Sequence, residues 1–238
     1  MPESSVVAIE MRDVQKGYHA LRPLRVRALD VREGESVALL GFDRAAAEVL
    51  VNLITAATVP DAGEVRVFGR PTVAIQDPAT WLTSLDCFGI LSERALVLDN
   101  MSVEENLTMP LTMALHEVDD AMRAKVQAIA EEVGIPRADM GRPVAALSSS
   151  GRLRLRLGRA LGPDPRIILS EHPNALLEPP EMAAFAADYA RIIATRRLAS
   201  VVLTADSVFA AAIAPRILTL QPATGELKPL SAWRRLFR

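Results

Sequence analysis

LSSSGRLRLRLGRALGPDPRIILSEHP, residues 147–173, carries the pattern that decides the fold. A serine-led helical pattern ends at Leu161, and Arg166–Ser170 follows as a short, continuous apolar run of the kind buried on both faces of a parallel sheet. Two more such runs lie further out, SVALL at Ser36–Leu40 and SVVLT at Ser200–Thr204. Helical patterns over Ala45–Ala56, Pro179–Thr195 and Ser207–Ala214 alternate with these runs, which predicts a doubly wound α/β layer. Val6–Val14 and Val26–Val31 instead alternate apolar with polar residues, as half-buried antiparallel strands do. From Ser102 to Leu161 the pattern is wholly helical. It opens on Ser102-Val-Glu-Glu105, with capping-box spacing, and is interrupted at Pro110, Gly134-Ile-Pro136 and Arg142-Pro143. The expected organisation is one domain over residues 1–238, α/β with a parallel core sheet and an antiparallel β part, with a helical subdomain at about 102–161 inserted in the layer.

Half of the 238 residues are apolar, 24% are charged and the formal net charge is -2, so a large core is available and no global charge draws the chain to nucleic acid or anionic lipid. No apolar run reaches the roughly 18 to 20 residues that crossing a bilayer requires, and MPESSVVAIE lacks the basic start and apolar stretch of a signal peptide. The expected location is the cytoplasm. The single cysteine, Cys87, fits a reducing compartment and a small core position.

Read in order, these segments resemble the ATP-binding subunits of ATP-binding cassette (ABC) transporters along nearly the whole chain. VREGESVALLG (Val31–Gly41) resembles the strand entering the phosphate loop, and VPDAGEVRVFGRP (Val59–Pro71) the stretch after the first helix. MSVEENLTMPL (Met101–Leu111) resembles the segment after the glutamine loop, and residues 147–173 the signature helix running into the Walker B strand. The resemblance implies a P-loop NTPase-like cassette fold, ATP and magnesium as the ligands if any are bound, a head-to-tail dimer, and a membrane permease docking near Glu93–Leu111. Tyr18 stands where the family places an adenine-stacking aromatic.

The chemistry-bearing positions differ from the family pattern. A working phosphate loop, G-x-x-x-x-G-K-[ST], wraps backbone amides round phosphates, reaches them with lysine and holds magnesium through a hydroxyl. Here the run from Gly41 keeps the first glycine, then places Ala46 at the second glycine, Ala47 at the lysine and Glu48 at the hydroxyl, with Val49 following. Glu48 is expected to cap the dipole of a structural helix and to repel a triphosphate, with Arg44 as the available compensating cation. The Walker B acid and catalytic glutamate positions hold Glu171 and His172, the glutamine position Glu93, and the distal histidine position Ala205. Glu48, Glu93, Glu171 and His172 are candidates for one acidic pocket. Its structural reading pairs Glu171 with Arg44 or His172, and no metal is assigned to it.

In the signature, Leu147-Ser148-Ser149-Ser150-Gly151, the first serine is kept and two glycines are replaced, which impairs close approach to ATP held by an opposite subunit. Arg152, Arg154, Arg156 and Arg159 lack interleaved aromatics and are read as serving salt bridges and solvation rather than nucleic acid. His19 and His116 are read as solvated or capping, and the C-terminal SAWRRLFR (Ser231–Arg238) as docking on its own domain. The leading expectation is a cassette subunit with weak or no hydrolysis. It couples to a permease as a homodimer, or as a heterodimer with an intact ATPase. The alternative is a functional transport ATPase with Arg44 on phosphate, Glu171 on magnesium and His172 as general base.

Overall fold

The computed structural model describes residues 6–112 and 118–230, so His116 and the C-terminal SAWRRLFR lie outside the described residues. The parallel core is a six-stranded sheet in the order β10 (Glu226–Pro229), β9 (Arg216–Gln221), β3 (Ser36–Leu40), β8 (Ala199–Leu203), β7 (Ile167–Glu171), β6 (Phe88–Leu91). The five strands from β9 to β6 are parallel, and β10 returns antiparallel to β9. Four further strands, β2 (Leu24–Arg32), β1 (Val7–Lys16), β4 (Ala62–Val67) and β5 (Arg70–Pro71), form an antiparallel sheet.

The continuous apolar runs are explained by burial on both faces of the parallel sheet. Along β3, Ala38 and Leu40 join one core cluster and Val37 and Leu39 the other; along β8, Val202 and Val201 divide in the same way. The second cluster contains α1 (Arg44–Ile54) and the antiparallel sheet. The first contains α3 (Val103–Thr108), α4 (Asp120–Glu132), α5 (Ser149–Leu161), α6 (Pro179–Arg196) and α7 (Ser207–Ile213). Each large aliphatic side chain removed from water in this way contributes on the order of 1.5–3 kcal/mol. Tyr189 of α6 is fully buried, and its hydroxyl lies 3.0 Å from Ser170 Oγ and 2.9 Å from Ser200 Oγ, which ties the helix to β7 and β8.

Among its described residues the stretch read as wholly helical holds three separate helices, α3, α4 and α5, with two short 3-10 turns, Arg137–Asp139 and Val144–Ala146, between α4 and α5. α4 ends at Glu132, ahead of Gly134 with its left-handed φ of 76°, and Pro136 and Pro143 with extended backbone each lead into one 3-10 turn. The capping box forms as expected: Ser102 Oγ accepts from Glu105 N at 3.1 Å, and Glu105 Oε2 accepts from Ser102 N at 2.8 Å. Strands β4, β5, β6, β9 and β10 and the short helix α2 (Pro78–Leu85) are additions to the sequence reading. Gly89 lets α5 lie directly on β6, because a Cβ there would stand 2.5 Å from Ala160 O. Among the described residues no helix is long and apolar enough to cross a membrane.

Candidate functional site

The carboxyl ends of β3, β6 and β7 converge, and the candidate residues sit on the loops that leave them. Register fixes this: Ser170 lies opposite Leu91, and Glu171 opposite Leu203. In open α/β sheets ligands bind at such strand ends.

At the end of β3 the chain turns through Gly41, whose φ of 85° lies in the left-handed region; a Cβ would stand 3.2 Å from Leu220 O. Asp43 then caps α1, its Oδ1 accepting from Ala46 N at 2.8 Å. This corrects the expectation for Glu48. Asp43 occupies the cap, and Glu48 stands one turn further along, too late to meet the free amides of the first turn. Ala46 and Ala47 are buried, with 5% and 0% exposure, so both methyl groups face the core. Val49 and Tyr18 pack against the same core cluster. Burial and, to a smaller degree, the nearby Asp43 charge raise the Tyr18 phenol above its ordinary pKa.

The centre of the site is a cation that the sequence reading did not single out. Arg94, on the loop after β6, donates from Nε to Glu171 Oε2 at 3.0 Å, from Nη2 to Glu171 Oε1, and from Nη1 to Glu48 Oε1 at 2.9 Å. Ser92 Oγ donates to Glu171 Oε2 at 2.7 Å and accepts from Arg94 N at 3.1 Å. Glu171 is only 8% exposed, so its charge needs these donors. Hydrogen bonding to Glu171 raises the Arg94 pKa above its ordinary value, against the lowering effect of burial. The expected pairing of Glu171 with Arg44 or His172 is therefore replaced by Arg94 and Ser92. Arg44 is 72% exposed at its side chain and pairs with Glu93 at 3.2 Å. The reason is reach: Arg94 leaves the neighbouring strand within hydrogen-bond distance of both carboxylates, whereas Arg44 starts a helix that faces the Glu93 loop.

Glu48, Glu93, Glu171 and His172 do share one cavity of about 230 Å³, together with Arg44, Ser92 and Arg94. Three carboxylates and two guanidiniums leave it nearly charge-balanced. His172 follows β7 with φ 45°; its backbone N–H donates to Leu203 O at 2.8 Å, and its Nε2 is buried without a hydrogen-bond partner among the described residues. Ala205 is exposed, and the adjoining Asp206 caps α7 through Val208 N at 2.7 Å and Phe209 N at 3.0 Å.

The serines of Ser148–Gly151 form the first turn of α5. Ser148 is its N-cap and accepts from Gly151 N at 3.1 Å, while Ser149 borders a small cleft with Glu93, Glu171 and His172. Ser148, Ser150 and Gly151 do not line the charged cavity. Three of the arginines that follow make contacts inside the chain. Arg152 pairs with Asp99 and Arg154 with Asp188, both at 2.7 Å, and Arg159 donates to Asn106 O at a position where burial lowers its pKa. His19 is exposed and Cys87 half-buried.

A five-stranded parallel layer with an antiparallel sheet beside it, helices inserted between β6 and β7, and a loop-to-helix turn after β3 facing the end of β7 define a nucleotide-binding-cassette type of protein. Residues 24–175 match the ABC transporter family, and the chain belongs to it. It is 31% identical over 199 residues to the phosphonates import ATP-binding protein PhnC of Anaeromyxobacter dehalogenans, covering 80% of this chain and 39% of that relative. It is 29% identical over 218 residues to the sulfate/thiosulfate import ATP-binding protein CysA of Pseudomonas aeruginosa, covering 90% of this chain and 64% of that relative. The chain thus spans 39% and 64% of the lengths of these two relatives. Among solved structures, the dimeric MJ0796, a bacterial ABC transporter cassette, superposes with a TM-score of 0.76 at 21% identity, over 92% of this chain and 96% of that one.

Proposed function

We propose that this chain is an ABC-type subunit that couples to a membrane permease from the cytoplasmic side and works with weak or no ATP hydrolysis. In this reading residues 1–238 form one cassette with residues 102–161 inserted as a helical subdomain. The cassette pairs head-to-tail with a second copy or with an intact ATPase. The relatives' names, import ATP-binding proteins, support the transport role.

One observation carries the loss of hydrolysis: the protein's own Arg94 bridges Glu48 and Glu171, joining the first turns of α1 to the end of β7. In the family reading a metal-bound triphosphate lies between these two elements. The residues present do not fit that ligand. Glu48 sets a carboxylate where a magnesium-binding hydroxyl is needed, Ala47 supplies no cation, and the acid at 171 is engaged by a guanidinium and a serine. Repulsion between Glu48 and a triphosphate in a partly desolvated cavity costs several kcal/mol at ~4 Å. An ion-paired site that holds its elements together without ligand suits a partner that stabilises one conformation of a complex by contact. The alternative ATPase uses Arg44, Glu171 and His172. It is disfavoured because Arg44 is paired with Glu93 and Glu171 with Arg94.

Calorimetric titration of the whole chain with ATP, with and without magnesium, tests the reading, alongside the Ala47→Lys, Glu48→Ser double variant. No heat from the native chain and binding by the variant are expected. Micromolar binding by the native chain, near -8 kcal/mol, would overturn it in favour of the ATPase.

A further inference from the structure

At the C-terminal end of α1 lies a second cavity, of about 320 Å³, that shares no lining residue with the charged site. Its walls are mainly apolar: Ile54 ends α1, Val67 ends β4, Phe88 opens β6, and Phe68 follows β4 with the Arg166 guanidinium stacked over its ring at 3.7 Å. This volume falls in the range of small-molecule sites, which are apolar with one or two polar groups that fix orientation. The lining contains no carboxylate, and its one charged group is Arg70, which disfavours a cationic occupant.

Two further features single out this cavity. Thr72, also in its lining, is 1% exposed, and its hydroxyl oxygen is buried with no hydrogen-bond partner among the described residues. A buried hydroxyl left unpaired is costly, and a ligand atom that pairs with it relieves that cost only when bound. Cys87, the single cysteine of the chain, is half-buried in the same wall, where its thiol donates to Ser84 O at 3.1 Å.

We infer that this cavity is a binding site for a small, uncharged and mainly apolar molecule bearing one hydroxyl or carbonyl group, with its apolar part against the Ile54, Val67 and Phe88 wall and the polar group on Thr72. The inference does not rest on the transport reading, since none of its residues takes part in the charged site.

The test uses 2-naphthol as probe on the full chain, followed by its intrinsic fluorescence, with naphthalene as the comparison that lacks a hydroxyl. Saturable binding of 2-naphthol is expected, and Thr72→Val should weaken it about tenfold while leaving naphthalene binding unchanged. Ser84→Phe, which directs a ring from α2 into the cavity, should abolish both, with circular dichroism showing that each variant keeps its fold. Saturating 2-naphthol should also slow alkylation of Cys87 by N-ethylmaleimide in the native chain. Absence of saturable binding up to millimolar probe overturns the inference. Equal binding by the native and Ser84→Phe chains, or no protection of Cys87, also overturns it.

Discussion

Replacing Arg94 with alanine tests whether the charged site holds itself together. Glu171 is 8% exposed and accepts two hydrogen bonds from this guanidinium and one from Ser92. A hydrogen bond to a charged group contributes about 1.5–3 kcal/mol, and the two made by one guanidinium do not simply add. Arg94 keeps 44% of its side-chain exposure, so solvent screening reduces the figure, and the net loss should be about 2 kcal/mol. The Glu48 arm is different. With 44% and 46% exposure at its two ends it should contribute no more than ~0.5 kcal/mol. Urea unfolding of Arg94→Ala, Glu171→Gln, Glu48→Gln and the two double variants gives both coupling energies. The Arg94–Glu171 coupling should exceed ~1 kcal/mol and the Arg94–Glu48 coupling should stay below ~0.5 kcal/mol. Arg94→Lys, which keeps the charge but loses the planar fork, should recover less than half of the loss. Equal couplings, or a loss from Arg94→Ala below ~0.5 kcal/mol, would show that the bridge is an incidental surface contact.

Three further outcomes follow from the packing. Tyr189→Phe leaves Ser170 and Ser200 without their shared hydroxyl and should cost about 1–3 kcal/mol in urea unfolding. Burial pushes the Tyr189 phenol up to about 12 from 10.0, so the native state holds this proton longer than the unfolded chain. Its contribution is complete below pH 10.0 and is lost as pH rises toward about 12, and Tyr189→Phe should remove that part of the alkaline loss in a pH series of unfolding curves. Asp43→Ala removes the cap on Ala46 N and should cost about 1 kcal/mol, whereas Glu48→Ala should leave helix capping unchanged, as thermal melts will show. Gly89→Ala forces a methyl group against Ala160 O and Ile168 Cδ1 and should destabilise by about 1–3 kcal/mol; a neutral result would mean that α5 moves off β6 freely.

The fold was legible wherever burial is imposed on both faces of an element. SVALL, RIILS and SVVLT became β3, β7 and β8 within one residue, since a strand buried on both faces tolerates an unbroken apolar run. The edge strand β10 and the two-residue β5 carry no such pattern, because one face or one edge meets solvent and polar residues are tolerated there. The helical segment was readable as helical, and its division was hinted at by the interruptions at Pro110, Gly134-Ile-Pro136 and Arg142-Pro143, of which Gly134 follows the end of α4 and the last two prolines lead into the 3-10 turns. At the site, family spacing pointed to Glu48, Glu93, Glu171 and His172, and these do share a cavity. Arg94 escaped notice although it follows Glu93 directly. The available signal was charge balance: three carboxylates gathered round one cavity require cations, and Arg94 is one of the two arginines that line it.

The sequence by itself determined the order of strands and helices, the side chains at each chemistry-bearing position, and the absence of a lysine and hydroxyl from the loop after β3. Those are properties of one residue or of a local period. The tertiary structure alone decided which charges pair. Glu48 and Glu171 are 123 residues apart and Arg94 lies between them in the chain, so no local pattern links the three. Parallel pairing of β6 with β7, and the packing of α1 on the opposite face, bring one guanidinium within hydrogen-bond reach of both carboxylates. That reach, rather than the identity of any one residue, makes the site a junction that the chain's own charges hold together.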